Sequence, residues 1–190
     1  MDVGREIGMK AIGIVGSPRK NGNVDRLVQA VLDGAEEAGY EIKKYNLNEM
    51  NYSGCQACNY CKSHEKCRLD DDLSELLEDI TQADAVVFGS PIYFYLFTGQ
   101  FKLMEDRMYS FIDPEFNSRL SPGKKAVIVT SQGNPDLAAF EKATSDFGGI
   151  LELLRFEVAK IICMADGNAP NAVLEKKDLL DKAKSVGSAL

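Results

Sequence analysis

The chain has 190 residues, 45% of them hydrophobic and 27% charged, the proportions of a globular domain rather than of a disordered or fibrous chain. That length is one domain's worth at about 100–200 residues per domain, and a chain of this size buries roughly 70% of its unfolded surface without needing crosslinks. A net charge of −7 argues against nucleic acid and anionic membrane as partners.

No apolar run approaches the ~18 residues of a membrane span. The stretch Met1–Gly8 mixes Asp2, Arg5 and Glu6 with two glycines, unlike a signal peptide. The reading is a soluble, cytoplasmic, acidic single domain over residues 1–190, with a cysteine-rich loop at 51–70.

Taken in order, Lys10–Val15 predicts a strand that ends at Gly16-Ser17-Pro18. Val24, Leu27, Val28, Val31 and Ala35 recur at helical spacing on one face. Glu41–Leu47 alternates as a second strand, and the acidic run Asp70–Asp72 starts a helix carrying Leu73, Leu76, Leu77 and Ile80. Asp84–Gly89 is apolar throughout, as a strand covered on both faces requires. A helix over Gly99–Phe111, a strand over Lys124–Thr130, a helix through Leu137–Leu154, a strand over Phe156–Cys163 and a closing helix over Leu174–Val186 complete the chain. This alternation predicts an α/β fold: a doubly wound, three-layer, five-stranded parallel sheet of flavodoxin-like order 2-1-3-4-5, with its ligand at the carboxyl ends of strands 1 and 3.

Three loops leave that edge. The first, GSPRKNGNVDRLV at 16–28, opens a helix and offers backbone N–H groups to a phosphate. Ser17, Arg19, Asn21 and Asn23 add polar donors beside Val24. Five residues separate Gly16 from Gly22, so this is not a Walker loop, and no G-x-G-x-x-G is present. A plain polar turn is the alternative. The second loop, from Ser90 through Pro91, Ile92, Tyr93 and Phe94 to Phe97, carries aromatic faces suited to a planar ring, or to core and interface packing. The third is Ser131-Gln132-Gly133-Asn134-Pro135.

Cys55, Cys58, Cys61 and Cys67 follow the spacing C-x2-C-x2-C-x5-C. Thiols at every third residue suit an iron–sulfur cluster. Zinc usually takes two separated pairs, and unmetallated redox thiols are a third option. His64 reads as an exposed loop residue, and Cys163 as a small buried hydrophobe.

GSPRKNGNVDRLV, DAVVFGSPIYFYLFTGQFKLMEDR and the SQGNP loop together resemble the NADPH-dependent FMN reductase family, over about residues 9–165. That resemblance implies FMN, with its phosphate at Ser17, Arg19 and Asn23 and its ring bordered by Pro91, Ile92, Tyr93 and Phe94. The ring's polar edge would lie near Ser131, Gln132 and Gly133. The family usually has Thr or Ser where Val24 stands, and two adjacent glycines in the third loop. GCQACNYCKSHEKCRLDDDL resembles the compact motif of the iron–sulfur flavoprotein branch. The branch implies a [4Fe–4S] cluster on the four cysteines, a ferredoxin-like donor or NAD(P)H, a small-molecule acceptor and a homodimer or homotetramer. In that branch the cluster of one subunit approaches the flavin of another. The expected activity is flavin-dependent electron transfer. Its rivals are an NAD(P)H-dependent FMN or quinone reductase with a structural cysteine loop, and a non-enzymatic redox carrier or sensor.

Overall fold

The computed structural model describes residues 8–190; the leader reading of Met1–Gly8 therefore falls, except for Gly8, outside the described residues. Strands β1 (Lys10–Val15), β2 (Glu41–Asn46), β3 (Ala85–Tyr93), β5 (Lys124–Ser131) and β6 (Phe156–Met164) pair in parallel in the order β2-β1-β3-β5-β6. This is the expected flavodoxin-like order. Central β1 and β3 are buried on both faces, so they read as near-continuous apolar runs, whereas edge strand β2 alternates. The β5–β6 register shifts between Ala126 and Val127.

A sixth strand, β4 (Leu96–Phe97), was not expected. It folds back antiparallel on β3, pairing Ile92 with Phe97 and Tyr93 with Leu96. The two-residue turn puts Phe94 at φ 47° and Tyr95 at φ 68°. Hairpin turns of this handedness favour Asn and Gly at such positions, so the aromatic residues hid the hairpin from sequence reading.

Helices α1 (Asn23–Glu37) and α6 (Lys177–Ser188) cover one face of the sheet. The other is covered by α3 (Leu73–Gln82), α4 (Gly99–Arg107) and α5 (Glu141–Leu153). The helix expected over Gly99–Phe111 ends at Arg107 and continues as a 3-10 turn. The one read through Leu137–Leu154 likewise begins with a 3-10 turn over Leu137–Phe140. Five residues of the cysteine segment form a short helix, α2 (Tyr60–His64). His64 is exposed, as expected, and stacks on Tyr60 at 3.7 Å. Cys163 departs from its reading: it is only part-buried, and its Sγ lies 2.9 Å from Thr130 Oγ1.

Under α3–α5 the rings of Phe88, Phe97, Phe101, Phe147 and Phe156 meet edge to face. The opposite layer depends on small residues. A Cβ at Gly34 would stand 2.0 Å from the Lys184 carbonyl oxygen, and one at Gly187 would stand 1.8 Å from that of Val31. Backbone thus packs on backbone where α1 crosses α6. Gly34→Ala should lower the unfolding free energy by about 1–3 kcal/mol, the usual cost of overpacking. Gly149, exposed in α5 with nothing near its missing Cβ, should gain about 0.5–1 kcal/mol as Ala. Urea titrations of the two variants should therefore move in opposite directions.

Candidate functional site

Parallel strands end on one edge, so the loops after β1, β3, β5 and β6 meet there. They enclose a cavity lined by Ser17, Arg19, Asn23, Val24, Pro91, Ile92, Tyr93, Ser131, Gln132, Gly133, Gly167 and Asn168. Ten of those positions were named from sequence; Gly167 and Asn168, from the loop after β6, were not. Their only sequence signal was the turn-forming Asp166-Gly167-Asn168 that follows the last strand. Asn21 and Phe94 lie outside this lining. Asn21 instead shapes the loop at φ 55°, donating its N–H to Asp25 and accepting from Arg26 Nε. Phe94 is fully exposed at the hairpin tip.

The loop is braced from beneath. Thr98 Oγ1 donates to the Gly16 carbonyl at 2.7 Å and caps α4 by accepting from Phe101 N–H, while Thr98 N–H donates to Ser90 Oγ at 3.1 Å. These buried polar bonds tie the turns after β1 and β3 together.

Gly22 precedes α1 without a capping side chain, which leaves the first-turn N–H groups open toward a ligand. Ser17 is buried and its Oγ accepts from Arg19 N–H. The hydroxyl hydrogen remains to be donated. Arg19 Nη1 holds the Asn168 carbonyl at 2.8 Å. Asn23 differs from the expected side-chain donor: its Nδ2 serves the carbonyls of Gly167 and Ala169, and its Oδ1 accepts from Val173 N–H. It bolts the loop after β6 to the start of α1 while lining the cavity.

Gln132 is 2% exposed, and its Nε2 donates to Asn134 and Asp136 carbonyls. Its Oε1 is buried with no donor among the described residues. An acceptor left this way is costly unless a ligand supplies the proton. The cavity holds about 140 Å³, below the ~300–1,000 Å³ of pockets that enclose a whole ligand. It therefore suits one anionic, hydroxyl-bearing end of a larger molecule, whose remainder would lie across the open rim beside Tyr93.

A second pocket gathers the cysteines. Cys55, Cys58, Cys61 and Cys67 line it with Ala57, Leu69, Tyr109 and Arg107, and it shares no residue with the first. No three Cys, His, Asp or Glu side chains among the described residues stand close enough to hold a single ion. All four cysteines nonetheless line one small enclosure, Cys55 and Cys58 exposed and Cys61 and Cys67 half-buried.

The segment is held by Lys62 Nζ on the Tyr109 and Ile112 carbonyls, by Tyr52 OH on the Gln100 carbonyl, and by Arg107, whose side chain is fully buried. Nη1 donates to Asp71 at 2.8 Å and to the Ser53 carbonyl at 2.9 Å, while Nη2 reaches Asp71 and the Leu69 carbonyl. Asp71, expected to be a helix-start residue, does accept from Leu73 N–H, but it also binds Ser53 N–H and this guanidinium. Burial is the largest influence on the Asp71 carboxyl and pushes its pKa up; Arg107 and those N–H groups together outweigh it and hold the carboxyl below its ordinary range.

The chain belongs to the NADPH-dependent FMN reductase family, which residues 9–156 match. Within it, sequence similarity places the chain in the iron–sulfur flavoprotein branch. An "iron-sulfur flavoprotein" of Archaeoglobus fulgidus is 37% identical over 69% of this chain and 59% of its own length. Another, from Methanocaldococcus jannaschii, is 40% identical over 52% of this chain and 51% of its own. The chain thus spans little more than half the length of these relatives. A putative NAD(P)H-dependent FMN-containing oxidoreductase of Bacillus subtilis aligns over 92% of this chain and 94% of its own at 23% identity. Among solved structures, an FMN-dependent NADH-azoreductase of Bacillus anthracis in complex with FMN superposes with TM-score 0.70 at 15% identity. It covers 95% of this chain and 97% of its own, and shows the same fold.

A carboxyl with a depressed folded pKa contributes stability that is present above its unfolded value, ordinarily ~4, and lost as pH falls through the folded value. Asp71→Ala strands the buried Arg107 charge and should cost about 3 kcal/mol at pH 7. Acid should narrow the gap between wild type and variant, because wild-type Asp71 then protonates. Urea unfolding at neutral and acid pH measures both.

Proposed function

We propose that this protein is a flavin-dependent oxidoreductase that binds FMN at the carboxyl edge of its sheet and a [4Fe–4S] cluster at its four cysteines. It would accept electrons from a low-potential, ferredoxin-like donor and pass them to a small-molecule acceptor, as a homodimer or homotetramer. The observation that carries the reading is the convergence of four strand-end loops on one anion-ready cavity, whose lining includes the buried Gln132 with its Oε1 unpartnered among the described residues. FMN supplies chemistry in one- or two-electron units and an iron–sulfur cluster in one-electron units.

The chain's own residues do the rest. The first-turn amides of α1, Ser17 Oγ–H and Arg19 bind the phosphate. Gln132 orients a ribityl or ring donor. Pro91, Ile92 and Tyr93 border one face of the ring, and the strained Phe94–Tyr95 tip extends that apolar wall beyond the cavity. Strain kept at such a position is characteristic of working sites. Cys55, Cys58, Cys61 and Cys67 would ligate the cluster, Cys55 and Cys58 from the exposed side of the segment and Cys61 and Cys67 from its half-buried side.

A second reading is an NAD(P)H-dependent reductase whose cysteine segment is structural. One observation favours it: Arg107 and Asp71 anchor the segment through two of its backbone carbonyls and one backbone N–H.

Two experiments test the site. Arg19→Ala should weaken FMN binding by about 1.5–3 kcal/mol, the range for a charged hydrogen bond, read as the FMN dissociation constant by flavin fluorescence; an unchanged constant removes Arg19 from the site. Cys58→Ala, prepared without oxygen, should keep FMN and fold but lose iron and acid-labile sulfide. Dithionite would still bleach its flavin, while reduction by ferredoxin should fall at least tenfold. Loss of iron with an unchanged ferredoxin-dependent rate would favour the second reading.

A further inference from the structure

Arg107 is the least exposed large cation among the described residues, and its bonds can be accounted for one by one. A guanidinium has five N–H donors. Two on Nη1 go to Ser53 and Asp71, two on Nη2 to Leu69 and Asp71. The fifth, on Nε, is buried and has no acceptor among the described residues. Arg107 nevertheless lines the enclosure formed by all four cysteines. Leaving a buried donor unpaired is unfavourable, and a group ligated by the four cysteines that share this enclosure with Arg107 would bring sulfur acceptors near it.

We propose that Arg107 is a positioning residue for the iron–sulfur cluster, raising its reduction potential through its charge and through an Nε–H hydrogen bond to a cysteine or cluster sulfur. The inference rests on the cluster reading above. One-electron reduction makes the cluster more negative by one charge, the electron coming from the reductant. A fixed cation and an N–H···S bond both favour the more negative state. Asp71 opposes the effect: its carboxylate straddles Nη1 and Nη2 and partly cancels the charge that the cluster meets. Arg107 and Asp71 thus act on the potential with opposite signs. A role limited to anchoring the loop would not produce that pattern.

The test is a redox titration, by electron paramagnetic resonance, of the full chain purified anaerobically with its cofactors, alongside Arg107→Gln, Arg107→Lys and Asp71→Asn. Arg107→Gln should shift the one-electron equilibrium at least tenfold toward the oxidised cluster, a fall of about 59 mV. Arg107→Lys, which keeps a cation but not the Nε donor, should fall between that variant and wild type. Asp71→Asn should move the potential upward. FMN content should stay at the wild-type level in all three. Iron-loaded variants whose cluster potentials equal that of wild type overturn the proposal alone. If Arg107→Gln loses its iron, Asp71→Asn decides, and a potential that does not rise refutes the idea. A wild-type chain free of iron and sulfide refutes the cluster reading itself, and this proposal with it.

Discussion

Parallel pairing is the constraint from which the site follows. Because β1, β3, β5 and β6 all run the same way, each must be followed by a turn at the same edge and a crossover back. Residues as distant as Ser17 and Asn168 are thereby brought to one cavity. The order β2-β1-β3-β5-β6 puts β1 and β3 side by side while their helices leave toward opposite faces, which opens a crevice at the strand ends. Small polar ties then fix its shape: Thr98 binds Gly16 and Ser90, and Asn23 binds the loop after β6. The sheet gathers the loops, and these buried hydrogen bonds hold them at working distance.

The cysteine segment is attached by different means. It makes no ladder with the sheet, and residues 51–70 contain one short helix. Its most buried attachment is the guanidinium at the end of α4, which binds the segment's carbonyls while Asp71 balances its charge; Lys62 and Tyr52 add bonds nearer the surface. Such a pair contributes less to stability than its Coulomb attraction suggests, because both ions must be desolvated. Its geometry is specific, however, and a loop of sulfur ligands needs specific geometry more than bulk stability. The same arginine connects the loop to α4, whose N-cap Thr98 lies beneath the phosphate turn. The two pockets therefore share a mechanical element although they share no lining residue.

Much of this was legible in the chain itself. The apolar runs of β1, β3 and β5 and the helical spacing of Val24–Ala35 define the layers, because burial on one face or two writes its period directly into the sequence. Asn23 and Asp71 show where local reading stops. Each was assigned a local task, phosphate donor or helix start, and each serves partners far along the chain: Asn23 reaches Val173, and Asp71 reaches Arg107. Nothing in the spacing around Asn23 marks the distant carbonyls it will meet. The Phe94–Tyr95 hairpin was hidden for another reason, since its turn uses aromatic residues where glycine and asparagine are the usual signal.

The sequence by itself determined the order of the five parallel strands and of the helices that cover them, the anion-ready turn after β1 and the four-thiol spacing, because these depend on residues near one another in the chain. Tertiary structure decided that Gly167 and Asn168 join the cavity, that Gln132 lines it with a buried, unpartnered acceptor, and that Arg107 stands against the cysteines with one donor unpaired. Those are properties of which groups are buried together. A chain acquires them only when long-range packing removes the water that would otherwise have satisfied each group separately.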